Sequence, residues 1–300
     1  MAVDCIEETL DLSRGGEKLH LYRWLDTGDN LNASCESPSF IFIAIHGLMM
    51  HGKTFDSLAR ALVERGGMVV APDIRGFGKY YFNKGNEPRE VDYKGTLDDL
   101  VWLLEKLSST FSETPIFCLG ESLGAHMARR LAGMHPDMVR GLILSSPCIR
   151  PRMVSVPLLP HTLKEMLSVG FNPRKELDLA PFARRFLGKE KERLEGYLAD
   201  PMSRKSLEAS ELLKSVLIVS ACNLMSISPK VPVLVLKGKH DCVCKEKSTE
   251  KILESMRTRE ISICELPDCG HLILEGGPGE DLNPGALKAI EDWLAALQLL

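Results

Sequence analysis

From residue 39 onward the chain alternates between two kinds of apolar spacing. Short, nearly continuous apolar runs read as strands buried on both faces: FIFIAI (40–45), MVVAP (68–72), PIFCLG (115–120) and VRGLILSS (139–146). Between them lie longer segments whose apolar residues recur at steps of three and four. Phe55, Leu58, Ala59, Leu62 and Val63 mark a helix over 53–65. Leu97, Leu100, Val101, Leu104 and Leu107 mark a second, with Thr96 as its N-cap. Residues 123–134 form a third. Strands joined through helices pair in parallel, so the predicted class is α/β: a mostly parallel central sheet with helices on both faces.

The pattern differs at the two ends and in the middle. Residues 5–12 and 18–25 read as two strands of a hairpin turning at Gly15-Gly16, followed by a polar connection over 26–38. After residue 146 the alternation stops. Residues 147–228 carry several prolines and charge-rich helical stretches such as RRFLGKEKERLEGYLAD, with no convincing strand before VPVLVLKG (231–238). The rhythm then resumes with a helix near 246–257, a strand over 259–266 and a last helix near 284–298. The predicted organisation is a core of 1–146 and 229–300 interrupted by a helical cap of 147–228.

Composition narrows the function classes. A chain of 300 residues buries a large core without covalent staples, so its nine cysteines read as reduced thiols of a cytoplasmic protein. The N-terminus has neither a basic start nor an apolar run, and no apolar stretch is long enough to span a bilayer. A formal net charge of −4 leaves no electrostatic footprint for nucleic acid.

The chemistry concentrates in Gly120-Glu121-Ser122-Leu123-Gly124, placed where a predicted strand ends and a helix begins. That context makes a nucleophile elbow: a tight turn presents the serine, and the helix N-terminus behind it favours negative charge at the reacting carbonyl. A serine hydroxyl needs a base oriented by an acid, in the chain order serine, acid, histidine. Asp241 follows one strand in GKHD and His271 follows the next in DCGH, so both stand past the C-terminal ends of strands. Asp268, three residues before His271, and Asp73 are competing acids. Of the eight histidines, His126 falls inside a helix, while His20, His51, His135 and His161 read as surface or loop residues. A histidine base of ordinary pKa predicts activity that falls as pH drops through ~7. The turn after FIFIAI offers the backbone N–H of Leu48 as one oxyanion donor, and Leu123 offers the other. The His46 side chain reads as a brace for that turn. Met49, in the apolar beginning of HGLMMHGKTF, is a candidate contact for an acyl chain.

With these residues in view, HGL (46–48), PDIRGFGKY (72–80), GESLGA (120–125), SSP (145–147) and LKGKHDCVC (236–244) resemble the monoacylglycerol lipase and lysophospholipase group of α/β hydrolases. The resemblance runs from about residue 40 to the end and is weakest in the cap. It implies the α/β-hydrolase fold, no cofactor, and a small-molecule ester substrate of lipid type, with transient contact to a membrane surface through the cap. In this group a Y-x-x-D-P segment of the cap brings its tyrosine near the glycerol end of the substrate, which makes Tyr197 a candidate substrate contact. Animal members usually carry His where this chain has Glu121. Plant and other relatives carry Glu there, including esterases of aromatic acyl groups, so Glu121 is a candidate specificity residue.

The function expected from these observations is hydrolysis of single-chain lipid esters through an acyl-enzyme. The alternatives are a small-ester or aromatic-acyl carboxylesterase, an aminopeptidase of the same fold, and a ligand receptor without turnover. Cys242-Val243-Cys244 beside His240 lacks the paired spacing of a structural zinc site, so no metal is expected. The apolar wall of the pocket is expected from Val154, Val156, Leu158, Leu159, Leu163, Met166 and Leu167 at the start of the cap.

Overall fold

The computed structural model describes residues 2–12, 17–26, 37–83, 89–148, 172–187, 191–222, 227–244, 250, 252–254, 256, 258, 260–276 and 281–300. The turn at Gly15-Gly16, His161 and the apolar residues between Val154 and Leu167 lie outside them. Much of the helix expected over 246–257 does too, although residues 250 and 252–254 are helical.

Eight of the described strands form one sheet. In chain order they are β1 (Val3–Asp11), β2 (Lys18–Asp26), β3 (Phe40–Ile45), β4 (Gly67–Pro72), β5 (Ile116–Glu121), β6 (Gly141–Ser145), β9 (Val233–Gly238) and β10 (Ile261–Leu266). Their spatial order is β1-β2-β4-β3-β5-β6-β9-β10. The first two strands are antiparallel to their neighbours, and every pairing from β4 through β10 is parallel. Two further strands, β7 (Glu176–Asp178) and β8 (Ser206–Glu208), make a separate antiparallel ribbon within the segment between β6 and β9. That ribbon is an addition to the all-helical expectation, since three-residue strands are too short to register as a period.

Alternation along each strand divides the core into two layers. Phe40, Phe42 and Ala44 face one side with Phe117 and Leu119, against α1 (Asp56–Val63) and α8 (Pro284–Ala296). Ile41, Ile43 and Ile45 face the other side, against α3 (Tyr93–Thr110) and α4 (Leu123–Met134). Both sides of the central strands are therefore buried, which is why those strands read as unbroken apolar runs.

Helix α3 starts three residues before the expected Thr96. Its cap is Asp92, whose carboxylate accepts the Gly95 N–H at 3.0 Å. Thr96 instead sits in the first turn and donates its hydroxyl to the Asp92 carbonyl. A five-residue helix, α2 (Gly78–Phe82), precedes it. Between β6 and β9 lie α5 (Ala180–Phe186), α6 (Lys191–Ala199) and α7 (Ala209–Cys222), the last packed on α4. No helix among the described residues is long and apolar enough to cross a membrane.

Candidate active site

Strand β5 ends at Glu121 and α4 begins at Leu123, so Ser122 alone makes the turn. Its backbone sits at φ 53°, ψ −111°, a conformation that L residues rarely adopt and that costs about 1–3 kcal/mol where the surroundings impose it. The two glycines make the turn possible by close approach. A Cβ on Gly124 would lie 1.9 Å from the Ile45 carbonyl oxygen, and one on Gly120 would lie 2.2 Å from that of Gly124. Next door, the Ser122 N–H donates to the Ser145 carbonyl of β6 at 2.9 Å.

Strands β9 and β10 deliver the other two groups. Asp241 stands three residues beyond β9 and His271 five beyond β10. His271 Nε2 lies 2.9 Å from Ser122 Oγ, and Nδ1 lies 2.9 Å from Asp241 Oδ2. The second carboxylate oxygen accepts the N–H groups of Val243 (2.7 Å) and Cys244 (3.0 Å). Burial alone would raise the Asp241 pKa, but the charge and hydrogen bond of His271, with these two N–H groups, hold it at about 2. Burial likewise opposes charge on His271, but the Asp241 carboxylate outweighs it and raises the imidazole to about 9. That is above the ordinary value expected from sequence, and the cause is the nearness of the acid. Asp268 is exposed and does not join this line, whereas Asp73 is buried and accepts the N–H groups of Gly52 and Lys79.

The loop after β3 passes directly beside the serine: a Cβ on Gly47 would be 3.7 Å from Ser122 Cβ. Leu48 follows, then Met49 at φ 71°. His46 braces this loop. Its Nδ1–H donates to the Gly47 carbonyl (2.8 Å), Nε2 accepts the Ile74 N–H (2.9 Å), and burial keeps the ring neutral with a pKa of about 3. The Gly47 N–H is held from the other side by Glu275, at 2.9 and 3.1 Å from the two carboxylate oxygens. Thr54 Oγ1 also donates to Glu275, at 2.8 Å. Burial, with Glu121 close by, pushes the Glu275 carboxyl well above the usual range.

Glu121 occupies a different place from the substrate contact the sequence suggests. It is fully buried, and its carboxylate accepts Ser145 Oγ (2.6 Å) and the N–H groups of Ile273 (2.8 Å), Leu274 (3.1 Å) and Glu275 (2.8 Å). Residue 121 is the last of a strand covered on both faces, so its side chain turns into the interior. There it anchors the segment that follows His271.

The segment between β6 and β9 reaches the same loops. Tyr197 of α6 is buried and donates its hydroxyl to Met49 Sδ at 3.3 Å, so the two candidate contacts meet each other. Met49 O in turn accepts the Arg204 N–H at 2.9 Å. His51 Nε2 lies 2.7 Å from Asp200 Oδ2, and Arg193 donates to the carbonyls of Leu272 (2.5 Å) and Glu275 (3.2 Å). A small cavity of about 10 Å³ lies among Tyr197, Arg193, Thr54 and Leu272. His51 and His20 are therefore buried and hydrogen-bonded, contrary to their reading as surface residues; His20 meets Thr9. His126 is packed, with its Nε2–H donating to the Cys148 carbonyl.

Sequence reasoning missed Glu275, the His51–Asp200 pair and Arg193. The one hint was an acidic residue closing the apolar run HLILE (271–275), where a strand or loop core offers no reason for a charge. Among groups able to hold a metal ion, the described residues bring together Asp241, Cys244 and His271, whose ligand atoms lie within 4.8 Å of one another. Cys242 points elsewhere, towards the His240 carbonyl.

Residues 36–276 match the family described as serine aminopeptidase, S33. The chain is similar to human monoglyceride lipase, 23% identical over 246 residues that cover 82% of this chain and 77% of that protein. It is also similar to a monoglyceride lipase homolog of monkeypox virus, 26% identical over 86% of this chain and 90% of that protein. Among solved structures, monoglyceride lipase from Saccharomyces cerevisiae superposes with a TM-score of 0.72 at 20% identity, covering 97% and 96% of the two chains. A carboxyl esterase from Bacillus coagulans gives a TM-score of 0.74 at 16% identity, with both chains covered in full. These two structures share the α/β-hydrolase fold with this chain.

Proposed function

The chain belongs to the serine aminopeptidase S33 family and is a hydrolase of the lipase and esterase kind; on that premise we propose that it cleaves single-chain lipid esters through an acyl-enzyme on Ser122. The observation that carries the proposal is the unbroken line from Ser122 through His271 to Asp241, built on an elbow strained at the serine. In this reading neutral His271 takes the Ser122 proton as Oγ attacks the ester carbonyl. The N–H groups of Leu48 and Leu123 meet the developing oxyanion. Leu123 suits this because the first N–H of a helix has no intrahelical partner, and Leu48 because its loop runs against Ser122. Asp241 orients the imidazole and stabilises the imidazolium, which then protonates the leaving alcohol. Water, activated by the same histidine, releases the acid.

Residues 147–228 form the cap in this proposal, with Tyr197 and Met49 as the pocket wall nearest the oxyanion loop. Support for a lipid substrate comes from the named activity of the similar proteins and from α7, which exposes Leu213, Val216 and Leu217. Those side chains suit brief contact with a membrane surface. Cys5, Cys118, Cys148, Cys242 and Cys264 carry free thiols, in keeping with a reducing, cytoplasmic setting.

The test is a fluorophosphonate probe followed by an ester panel. Ser122 should label in the wild type and not in Ser122→Ala. Among substrates, monoacylglycerols or lysophospholipids should exceed triacylglycerols, aromatic acyl esters and aminoacyl amides. Rates indifferent to acyl length, with good cleavage of amides, would transfer the assignment to an aminopeptidase.

A further inference from the structure

The thiol of Cys244 lies 3.7 Å from His271 Nδ1, and Nδ1 lies 2.9 Å from Asp241 Oδ2. All three ligand atoms fall within 4.8 Å of one another. A tetrahedral zinc bound to S, N and O at its usual bond lengths separates its ligand atoms by roughly 3.3–3.6 Å. The triangle needs changes of well under the length of one bond to match. Asp241, Cys244 and His271 thus supply three of the four ligands of a tetrahedral ion, which leaves its fourth position to water.

Charge supports the match as well as distance. A divalent cation with one thiolate and one carboxylate is neutral overall, so it suits an interior that disfavours any single unpaired charge. The donor set of sulfur, imidazole and carboxylate selects a soft or borderline ion over magnesium or calcium. We propose that Asp241, His271 and Cys244 form a binding site for a divalent cation of the zinc class, and that its occupancy switches the hydrolase off.

The switch follows from one nitrogen. A metal on His271 Nδ1 takes the lone pair there, so the single ring proton that remains sits on Nε2, and the second proton of the imidazolium and the Cys244 thiol proton leave to solvent. Ser122 Oγ then faces an N–H donor instead of an acceptor, and no base remains for its proton. Ion binding and base catalysis are mutually exclusive at this histidine. The site itself does not depend on the proposed substrate, and the first measurement below does not depend on turnover.

Cobalt(II) serves as the spectroscopic probe and zinc(II) as the inhibitor, each added alone to the full-length protein. Cobalt should produce a thiolate-to-metal charge-transfer band with the visible spectrum of a tetrahedral ion. Cys244→Ala and Cys244→Ser should both lose most of that band, and Cys242→Ser should keep it. Zinc at micromolar concentration should inhibit ester hydrolysis, and EDTA should reverse it. Each variant is compared with its own rate in EDTA, and either Cys244 substitution should raise the inhibitory concentration at least tenfold. A cobalt spectrum without the band, or a band unaffected in both Cys244 variants, overturns the site. Hydrolysis indifferent to millimolar zinc overturns the switch. A Cys244-dependent band in a protein that hydrolyses no ester would keep the site and remove the proposed function instead.

Discussion

Glu121→Gln tests whether the carboxylate at the elbow holds the histidine segment in place. In the wild type one oxygen receives Ser145 Oγ, Ile273 N and Leu274 N, and the other receives Glu275 N at 2.8 Å. A glutamine carbonyl can replace the first oxygen. Its NH₂ group then confronts the Glu275 N–H, donor against donor, in a fully buried position. One orphaned buried N–H costs roughly 1–3 kcal/mol. At about 2–4 °C per kcal/mol this lowers Tm by roughly 2–12 °C. Alanine would orphan all three N–H groups at roughly 1–3 kcal/mol each, which approaches the whole stability of a typical domain, so glutamine is the more informative change. Because residues 273–275 follow His271 directly, the imidazole should also lose its register, and a displacement near 1 Å can cost about 10²-fold in rate. Thermal unfolding and kcat with a chromogenic ester are the measurements. We expect lower Tm with kcat reduced roughly 10–100-fold. A Glu121→Gln protein with wild-type Tm and wild-type kcat would refute the reasoning.

Other substitutions and conditions test the remaining parts of the site. Asp241→Asn should reduce kcat by about 10⁴-fold, while Asp268→Asn should leave it near wild type; the opposite ranking would make Asp268 the acid. Since the base acts when neutral and Asp241 raises His271 to about 9, kcat/KM should climb with pH and level off only above that value; a profile already flat at neutral pH would contradict it. The same pair predicts the opposite trend for stability. The raised histidine contributes fully below its unfolded value of about 6.5 and loses its contribution as pH rises through 9. The depressed Asp241 contributes above about 3.9 and loses its contribution as pH falls toward 2. Urea midpoints across that range should show both losses. Gly124→Ala should abolish folding, because its Cβ would sit 1.9 Å from the Ile45 carbonyl oxygen; soluble, active Gly124→Ala would show that β3 can give way.

What sequence made legible follows from range. Strands β3 to β6 and β9 declared themselves because burial on both faces confines polar positions to their C-terminal ends. The elbow was legible because its two glycines, its serine and the flanking strand and helix are all local. Ser122, Asp241 and His271 were found through chain order and strand ends, and the structure brings the three into contact. Glu275 was invisible for the converse reason. Its meaning lies in Gly47, 228 positions away, and a local window shows only an acid in an apolar run. The same holds for His51 and Asp200, separated by 149 positions. Glu121 drew notice through the resemblance, because relatives carry either His or Glu at that position, whereas the structure turns its side chain into the buried interior.

The order in which the chain is made gives the site a schedule. Ser122 stands just past the fifth strand, but His271 comes 149 residues later, after the last strand of the sheet. Strand β9 is the link, because it pairs with β6 across an interval of nearly ninety residues before β10 can add beside it. Closing such a loop is slow compared with forming the local β-α units before it. A nascent or truncated chain can therefore hold a formed elbow and still lack its base, so it presents an unactivated serine to whatever esters surround it. Reactivity arrives only with the final strand. In a refolding experiment, the return of serine labelling should trail the return of helical signal, and its lag measures the time the last third of the chain takes to dock.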